Sequence, residues 1–540
     1  MRYRLLAAVA ATVLTAGLAS AQPAAGPTLE VRLRSVNDLV TTFEYVAGLA
    51  GKEDAAKQVR ELVKVLSADG KGIEGVDPKK PIGAYATLNK EVETSPFVVM
   101  LPIADEDRFL KALKDRLDVT PEKAEGGTLK IAVPLINELH LRFANGYLYV
   151  SQKPKDLDAK TILAPKAFFA KDDGALASVL VHIDRIPADL RTFVLGQFEL
   201  GLSEARKKDA DRESPAEKKL KAMLFDSILA GAKGLVDDGK ELSLKLFADA
   251  KTDEIWAEVA LGARSGSPTA KNFVALGQRK SLPAGIVASS GAAARGNISI
   301  GVTEGAKKEY AAAIDALLAE GLKKVPPDQE ELAKGAAAAF APMLKAGELD
   351  AAGALIGPDA KGRYKAIGAF GVTEGKGIEK WLKDLVKAVG PFIGDKVEFT
   401  FDTETVGDFA LHKIELKEVD AKFEQLFGTK TVWLATSDKT IAFSIESDGA
   451  MLKKGLKAKA IAAPVFSGEV AVAKFLPLAQ PDLKPDELKA LLKDAFGDGD
   501  TTGKDTIGLS VEGGDKLTAK IKVKGKAVRL LAGLDLLKGK

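Results

Sequence analysis

The chain has 540 residues, 28% of them charged, with 78 Lys and Arg against 75 Asp and Glu and no cysteine. The missing cysteine excludes disulfides, thiol nucleophiles and cysteine metal sites. The balanced charge leaves no global field to steer the chain to nucleic acid or to an acidic membrane.

The N-terminus carries a three-part export pattern. Arg2 and Arg4 precede an uncharged apolar stretch over residues 5–18, and Ala19-Ser20-Ala21 is a small-x-small cleavage pattern. A signal peptide over 1–21 is expected, with the mature chain in the periplasm or outside the cell. The longest later apolar run, residues 335–344, is shorter than the ~20 residues of a spanning helix. No integral membrane segment is expected after cleavage. Hydrophobic residues make up 46% of the chain, ample for buried cores.

From residue 29 onward, period-two segments predict strands with one buried face. Leu29, Val31 and Leu33 alternate with Glu30, Arg32 and Arg34. Leu242, Leu244 and Leu246 follow the same rule, as do Val397, Phe399 and Phe401, and Leu517, Ala519, Ile521 and Val523. Between them lie segments of helical period. Asp105 is placed to cap a helix bearing Phe109, Leu110, Leu113 and Leu117. Thr373 is placed to cap one bearing Ile378, Trp381, Leu382, Leu385 and Val389, and Thr303 stands in an identical Gly-Val-Thr-Glu-Gly loop at 301–305. Residues 206–219, densely charged and broken by Pro215, predict an exposed connection between two helices.

Some segments resemble each other in order along the chain. Strand and helix at 97–117 match 366–389, strand 147–151 matches 441–445, run 176–183 matches 468–475, and hairpin 241–261 matches 506–525. The expectation is an α+β fold of two similar tandem halves, 28–282 and 283–540. Each would be a mainly antiparallel sheet with amphipathic helices on one face.

The start Leu29-Glu-Val-Arg-Leu-Arg-Ser-Val-Asn-Asp-Leu39, the turn Gly72-Ile-Glu-Gly75 leading to Lys80-Pro-Ile-Gly-Ala-Tyr85, and the run 97–117 resemble secreted proteins of planctomycete-type bacteria. The resemblance implies an exported α+β protein and carries no catalytic residues.

No residue pattern completes a catalytic, phosphate or metal motif. His140 alternates against Leu139, Leu141 and Phe143 and is expected on the wetter face. His412 shares a face with Ile414 and Leu416 and is expected to be half-buried. His182 stands two residues from Asp184, a pair able to orient a general base, yet no G-x-S-x-G nucleophile accompanies it. Asp498, Asp500 and Thr502 imitate the start of a calcium loop, but the twelfth position is Leu509, where a glutamate is needed. Gly503-Lys504 lacks the upstream glycine of a phosphate loop, and Asp505 replaces its Ser or Thr. No catalytic, cofactor or metal residue is assigned. The leading expectation is non-catalytic binding or scaffolding toward an envelope protein. A carrier of lipid or another apolar ligand is the second, and a hydrolase without a recognisable motif the third.

Overall fold

A computed structural model of the chain describes residues 26–65, 74–133, 137–170, 173–208, 213–288, 291–497, 499 and 501–538. The expected signal peptide, residues 1–21, lies outside them, as do Asp498 and Asp500 of the calcium-loop imitation.

The fold is α+β and divides into two compact units. The first comprises the described residues up to Phe198, then Gly234–Ser267 and the helical end from Leu531. The second comprises Glu199–Lys233 and Pro268–Leu530. The join expected from the repeats, 282/283, falls inside the second unit. A short helix there, Leu282–Val287, gives Ile286 and Val287 to the second unit's core, with Leu282 packed against it.

The first unit contains β1 (Leu29–Leu33), β2 (Ile82–Ala86), β3 (Phe97–Pro102), β4 (Glu122–Ala124), β5 (Thr128–Val133), β6 (Asn137–Ala144), β7 (Tyr147–Ser151), β8 (Ala177–His182), β9 (Gly239–Asp249) and β10 (Glu254–Ala263). Their antiparallel order is β4-β5-β6-β7-β3-β2-β1-β8-β9-β10. The second contains β11 (Ala292–Gly301), β12 (Glu348–Ile356), β13 (Lys365–Gly371), β14 (Val397–Val406), β15 (Phe409–Leu416), β16 (Thr431–Thr436), β17 (Thr440–Ile445), β18 (Phe466–Ala471), β19 (Thr506–Glu512) and β20 (Lys516–Lys524). Their order is β14-β15-β16-β17-β13-β12-β11-β18-β19-β20, also antiparallel. Adding ten to each strand number of the first sheet reproduces the second.

The longer helices follow the same plan. After β1 come α1 (Val36–Leu49) and α2 (Glu53–Val65), and after β3 comes α3 (Glu106–Leu117). After β8 come α4 (Ala188–Lys207) and α5 (Pro215–Asp238), and after β10 comes α6 (Pro268–Gly277). In the second round, α7 (Glu304–Leu322) and α8 (Glu330–Ala346) follow β11, and α9 (Gly375–Ile393) follows β13. The pair α10 (Val472–Ala479) and α11 (Pro485–Phe496) follows β18, and α12 (Gly525–Lys538) follows β20.

Each sheet carries apolar side chains on both faces. In the first unit, α3 lays Phe109 and Leu113 over Leu141, Leu148 and Ile131. The opposite face, with Tyr85, Met100 and Tyr149, is closed by Leu157 and Phe168 from short helical turns. In the second unit the same opposite face holds Ile367, Leu411, Ala435 and Ala442 against Ile286 and Leu452. His140 lies on the face that Leu157 and Phe168 close, so it is buried and not wet as its alternation suggested.

Asp105 caps α3 as expected, its side chain accepting from the Arg108 N–H at 3.0 Å. The two threonines do not cap. Thr303 stands at the N-cap of α7 but its hydroxyl makes no capping hydrogen bond. Thr373 lies one residue outside α9, whose N-cap is Glu374 in the left-handed region with φ 59°. There the Gly375 N–H donates to the Asp438 carbonyl at 2.9 Å, which fixes the helix entry without a hydroxyl.

Candidate functional site

Strand pairing aligns four glycines across the second sheet. Reading from β20 to β17, opposite residues are Ile521, Leu509, Gly468, Gly296, Gly353, Gly368 and Phe443. At about 4.8 Å per strand, the glycine row spans ~14 Å. The flanking rows on this face are apolar, with Val470, Ala294 and Leu355 on one side and Phe466, Ile298, Ala351 and Phe370 on the other. The result is an open trough of about 540 Å³ with an apolar lining. Phe370 and Phe443 stack at 6.1 Å, and Phe443 covers Gly368, so one end is closed by aromatic rings. Phe466, Leu509 and Ile521 stand exposed along the rest.

Glycine inside a strand costs about 0.5–1 kcal/mol relative to alanine. Packing within the chain explains Gly368, where a Cβ would come within 2.4 Å of the Phe443 ring. It does not explain Gly353 or Gly468, where the nearest atoms to a Cβ are 3.8 and 3.9 Å away. Neither has a positive φ. Strand glycines with free space above them mark a place where something else approaches the backbone.

A polar network sits further along the same face, where α9 covers β14–β16. Glu379, Asp402 and His412 offer ligand atoms within 4.8 Å of one another. His412 is 1% exposed. The Asp402 N–H donates to its Nδ1 at 3.1 Å, so its proton is on Nε2, which lies 2.9 Å from Thr436 Oγ1. Thr436 in turn donates to Glu379 Oε2 at 2.8 Å. Lys383, one turn along α9, donates to Glu379 Oε1 at 2.6 Å and to Asp402 Oδ2 at 2.8 Å. The ammonium therefore supplies the positive charge that a metal ion would bring to these carboxylates. Burial, opposed by Glu379 and Asp402, holds the His412 imidazole below the usual histidine range. Burial pushes Glu379 up, but the hydrogen bonds from Lys383 and Thr436 outweigh it and hold its carboxyl low. Both groups are poised against proton exchange near neutrality: the acid is ionised and the imidazole neutral, each tied by hydrogen bonds.

The other sequence candidates separate. His182 does not work with Asp184; its Nε2 meets Glu30 Oε1 at 2.8 Å, and Arg32 pairs with the same carboxylate at 2.5 Å. His140 lies on β6 of the first sheet, opposite Ser151 and five strands from His182 in the sheet order. Asp505 is a buried helix cap: its Oδ2 accepts from the Ala473 N–H at 2.5 Å at the start of α10. Glu379, Lys383, Asp402 and Thr436 escaped sequence reading because only the fold joins them. The glycines left a signal, each interrupting an apolar alternation.

No family model matches the chain, and no curated protein matches it. Among solved structures it is similar to crystal form III of TP0453, at 11% identity over 47% of this chain and 86% of that one, with a TM-score of 0.22. Likeness at that score carries no argument. Among the described residues, no helix is long and apolar enough to cross a membrane.

Proposed function

We propose that the chain is an exported, non-catalytic binding protein that holds an extended apolar ligand, such as an acyl chain, in the trough of the second sheet. The observation that supports it is the row Gly468, Gly296 and Gly353. At Gly468 and Gly353 the strands give up side chains without a need from local packing, at Gly296 a Cβ would come within 3.0 Å of the Ser467 carbonyl oxygen, and apolar residues flank the bare backbone on both sides. Apolar lining with few polar groups suits a ligand recognised by shape and desolvation. The N-terminal pattern at residues 1–21 supports export, and the shared strand order supports a tandem duplication. The hydrogen-bonded state of the Glu379–His412 network speaks against a hydrolase, since its carboxylate is held low and its imidazole is engaged at both nitrogens.

The test is titration with a fluorescent fatty acid. Wild-type chain should enhance its emission saturably. Gly353→Leu and Gly468→Leu should each weaken binding by at least ~10-fold, equivalent to ~1.4 kcal/mol. Absence of binding, or binding indifferent to both variants, would remove the proposal.

A further inference from the structure

The two ends of the glycine row differ. At Gly296 and Gly353 the atoms within 4 Å of a Cβ would be main chain, and at Gly468 they belong to the Phe466 ring at 3.9 and 4.0 Å. Gly368 is different, because the Phe443 ring lies over it: a Cβ there would come within 2.4 Å of Phe443 Cε1 and 2.6 Å of its Cζ. Phe370 stacks on that ring at 6.1 Å with an interplanar angle of 16°. Past Phe443 the same row runs through Leu434 to His412, which is 1% exposed. At the other end stand Leu509 and Ile521, 39% and 51% exposed. One end is therefore blocked by paired rings, and the other meets water. From β20 to β17, the glycine row and the rows beside it consist of glycine and apolar residues. A polar head group laid among them would find no side-chain hydrogen-bond partner, and burying it unpaired is costly.

We propose that Phe443 is the stop of the trough and sets the length of the acyl chain it accepts. The chain lies tail-first across the sheet, its methyl end against the ring and its polar head at the β19–β20 end. This assignment rests on the reading of the trough as an acyl site and narrows the ligand to a single chain of medium length. Neighbouring strands are about 4.8 Å apart, so the three strands with a bare floor offer ~14 Å. A zigzag of tetrahedral carbons advances ~1.25 Å per bond, from bonds of ~1.5 Å and angles of ~111°. The floor therefore seats ~11 carbons. Carbons beyond that number rise past Leu509 into water and add little. The ring also holds the chain off the polar network, since the next positions in the row are Leu434 and the buried His412, whose two nitrogens are both engaged.

The test is displacement of a bound fluorescent fatty acid by saturated fatty acids of about 6 to 18 carbons. In the wild type, affinity should rise ~2- to 4-fold per added carbon and level off at ~11 carbons. Phe443→Ala uncovers Gly368 and adds one strand to the floor, so the break should move up by ~4 carbons. Gly353→Leu brings the stop one strand nearer the mouth, and the break should move down by ~4 carbons. At Gly353 a Cβ would meet only the Ile367 carbonyl oxygen, at 3.8 Å, so this variant carries the test if a thermal melt shows that Phe443→Ala is unfolded. Gly468→Leu, at the mouth, should weaken all chain lengths alike. A break that the Phe443 and Gly353 variants leave in place, or affinity that climbs through the series without a break, would overturn the stop and leave the acyl site standing. Exchange of the Gly353 and Gly468 effects would overturn tail-first entry from β19–β20. A wild-type chain that binds no member of the series would remove the acyl reading and the stop with it.

Discussion

His412 accepts the Asp402 N–H at Nδ1 and presents its Nε2 proton to Thr436, so one imidazole ties a strand backbone to a hydroxyl that reaches helix α9 through Glu379. The ring is held neutral by burial, while Glu379 and Asp402 pull the other way and Lys383 adds to the burial effect.

That arrangement has a pH signature. The native imidazole titrates below the unfolded value of about 6.5, so the unfolded chain takes up the proton first as pH falls. The contribution of His412 is complete above the unfolded value. It declines as pH drops from there toward the native value, by at most ~1.4 kcal/mol per pH unit. Denaturant melts of wild type and His412→Gln between about pH 7.5 and 5.5 should show this slope in the wild type only. A flat wild-type difference across that window would refute the neutral assignment.

Thr436→Val replaces the linking hydroxyl at nearly constant volume. It leaves the His412 Nε2–H and Glu379 Oε2 without their partner inside a buried site, at a cost of about 1–3 kcal/mol. Equilibrium denaturation measures it. A change below ~0.5 kcal/mol would mean that water replaces the hydroxyl.

Glu446 makes a sharper case. Its carboxylate is 1% exposed, accepts from Ser444 Oγ at 2.8 Å and from the Met451 and Leu452 N–H groups at 3.0 and 2.9 Å, and anchors the helix Ala450–Gly455. Glu446→Ala should destabilise the second unit by at least ~2 kcal/mol, because two helix N–H groups lose a charged acceptor. A calorimetric transition unchanged by the substitution would refute that role.

Gly353→Ala should act in the opposite direction. With room for the methyl, it should stabilise by about 0.5–1 kcal/mol while narrowing the trough. A thermal melt checks the first effect and the fatty-acid titration the second. Stabilisation without loss of binding would locate the ligand elsewhere.

The fold was largely legible. Alternation found the strands β1, β9, β14 and β20, but not always which face is buried: on β9 Leu242, Leu244 and Leu246 are exposed and Ser243 between them is buried. Asp105 was legible as a cap because capping is local. His140 and His412 were misjudged for one reason: where they lie, both faces of the sheet are covered, so alternation does not separate wet from dry. Identical Gly-Val-Thr-Glu-Gly segments enter α7 and α9 differently, since at 371–375 the Asp438 carbonyl draws in Gly375. That contact spans 63 residues and leaves no local mark. The Glu379–His412 network is nonlocal in the same sense, with five side chains from one helix and three strands.

The floor of the trough is main chain. Side-chain pockets retune themselves by switching rotamers, but a floor of Gly468, Gly296 and Gly353 has none to switch. Its width follows the twist of the sheet alone. Substitution at those positions can only make it shallower, so the lineage of this surface has a single direction open to it: any specificity it gains must come from the walls.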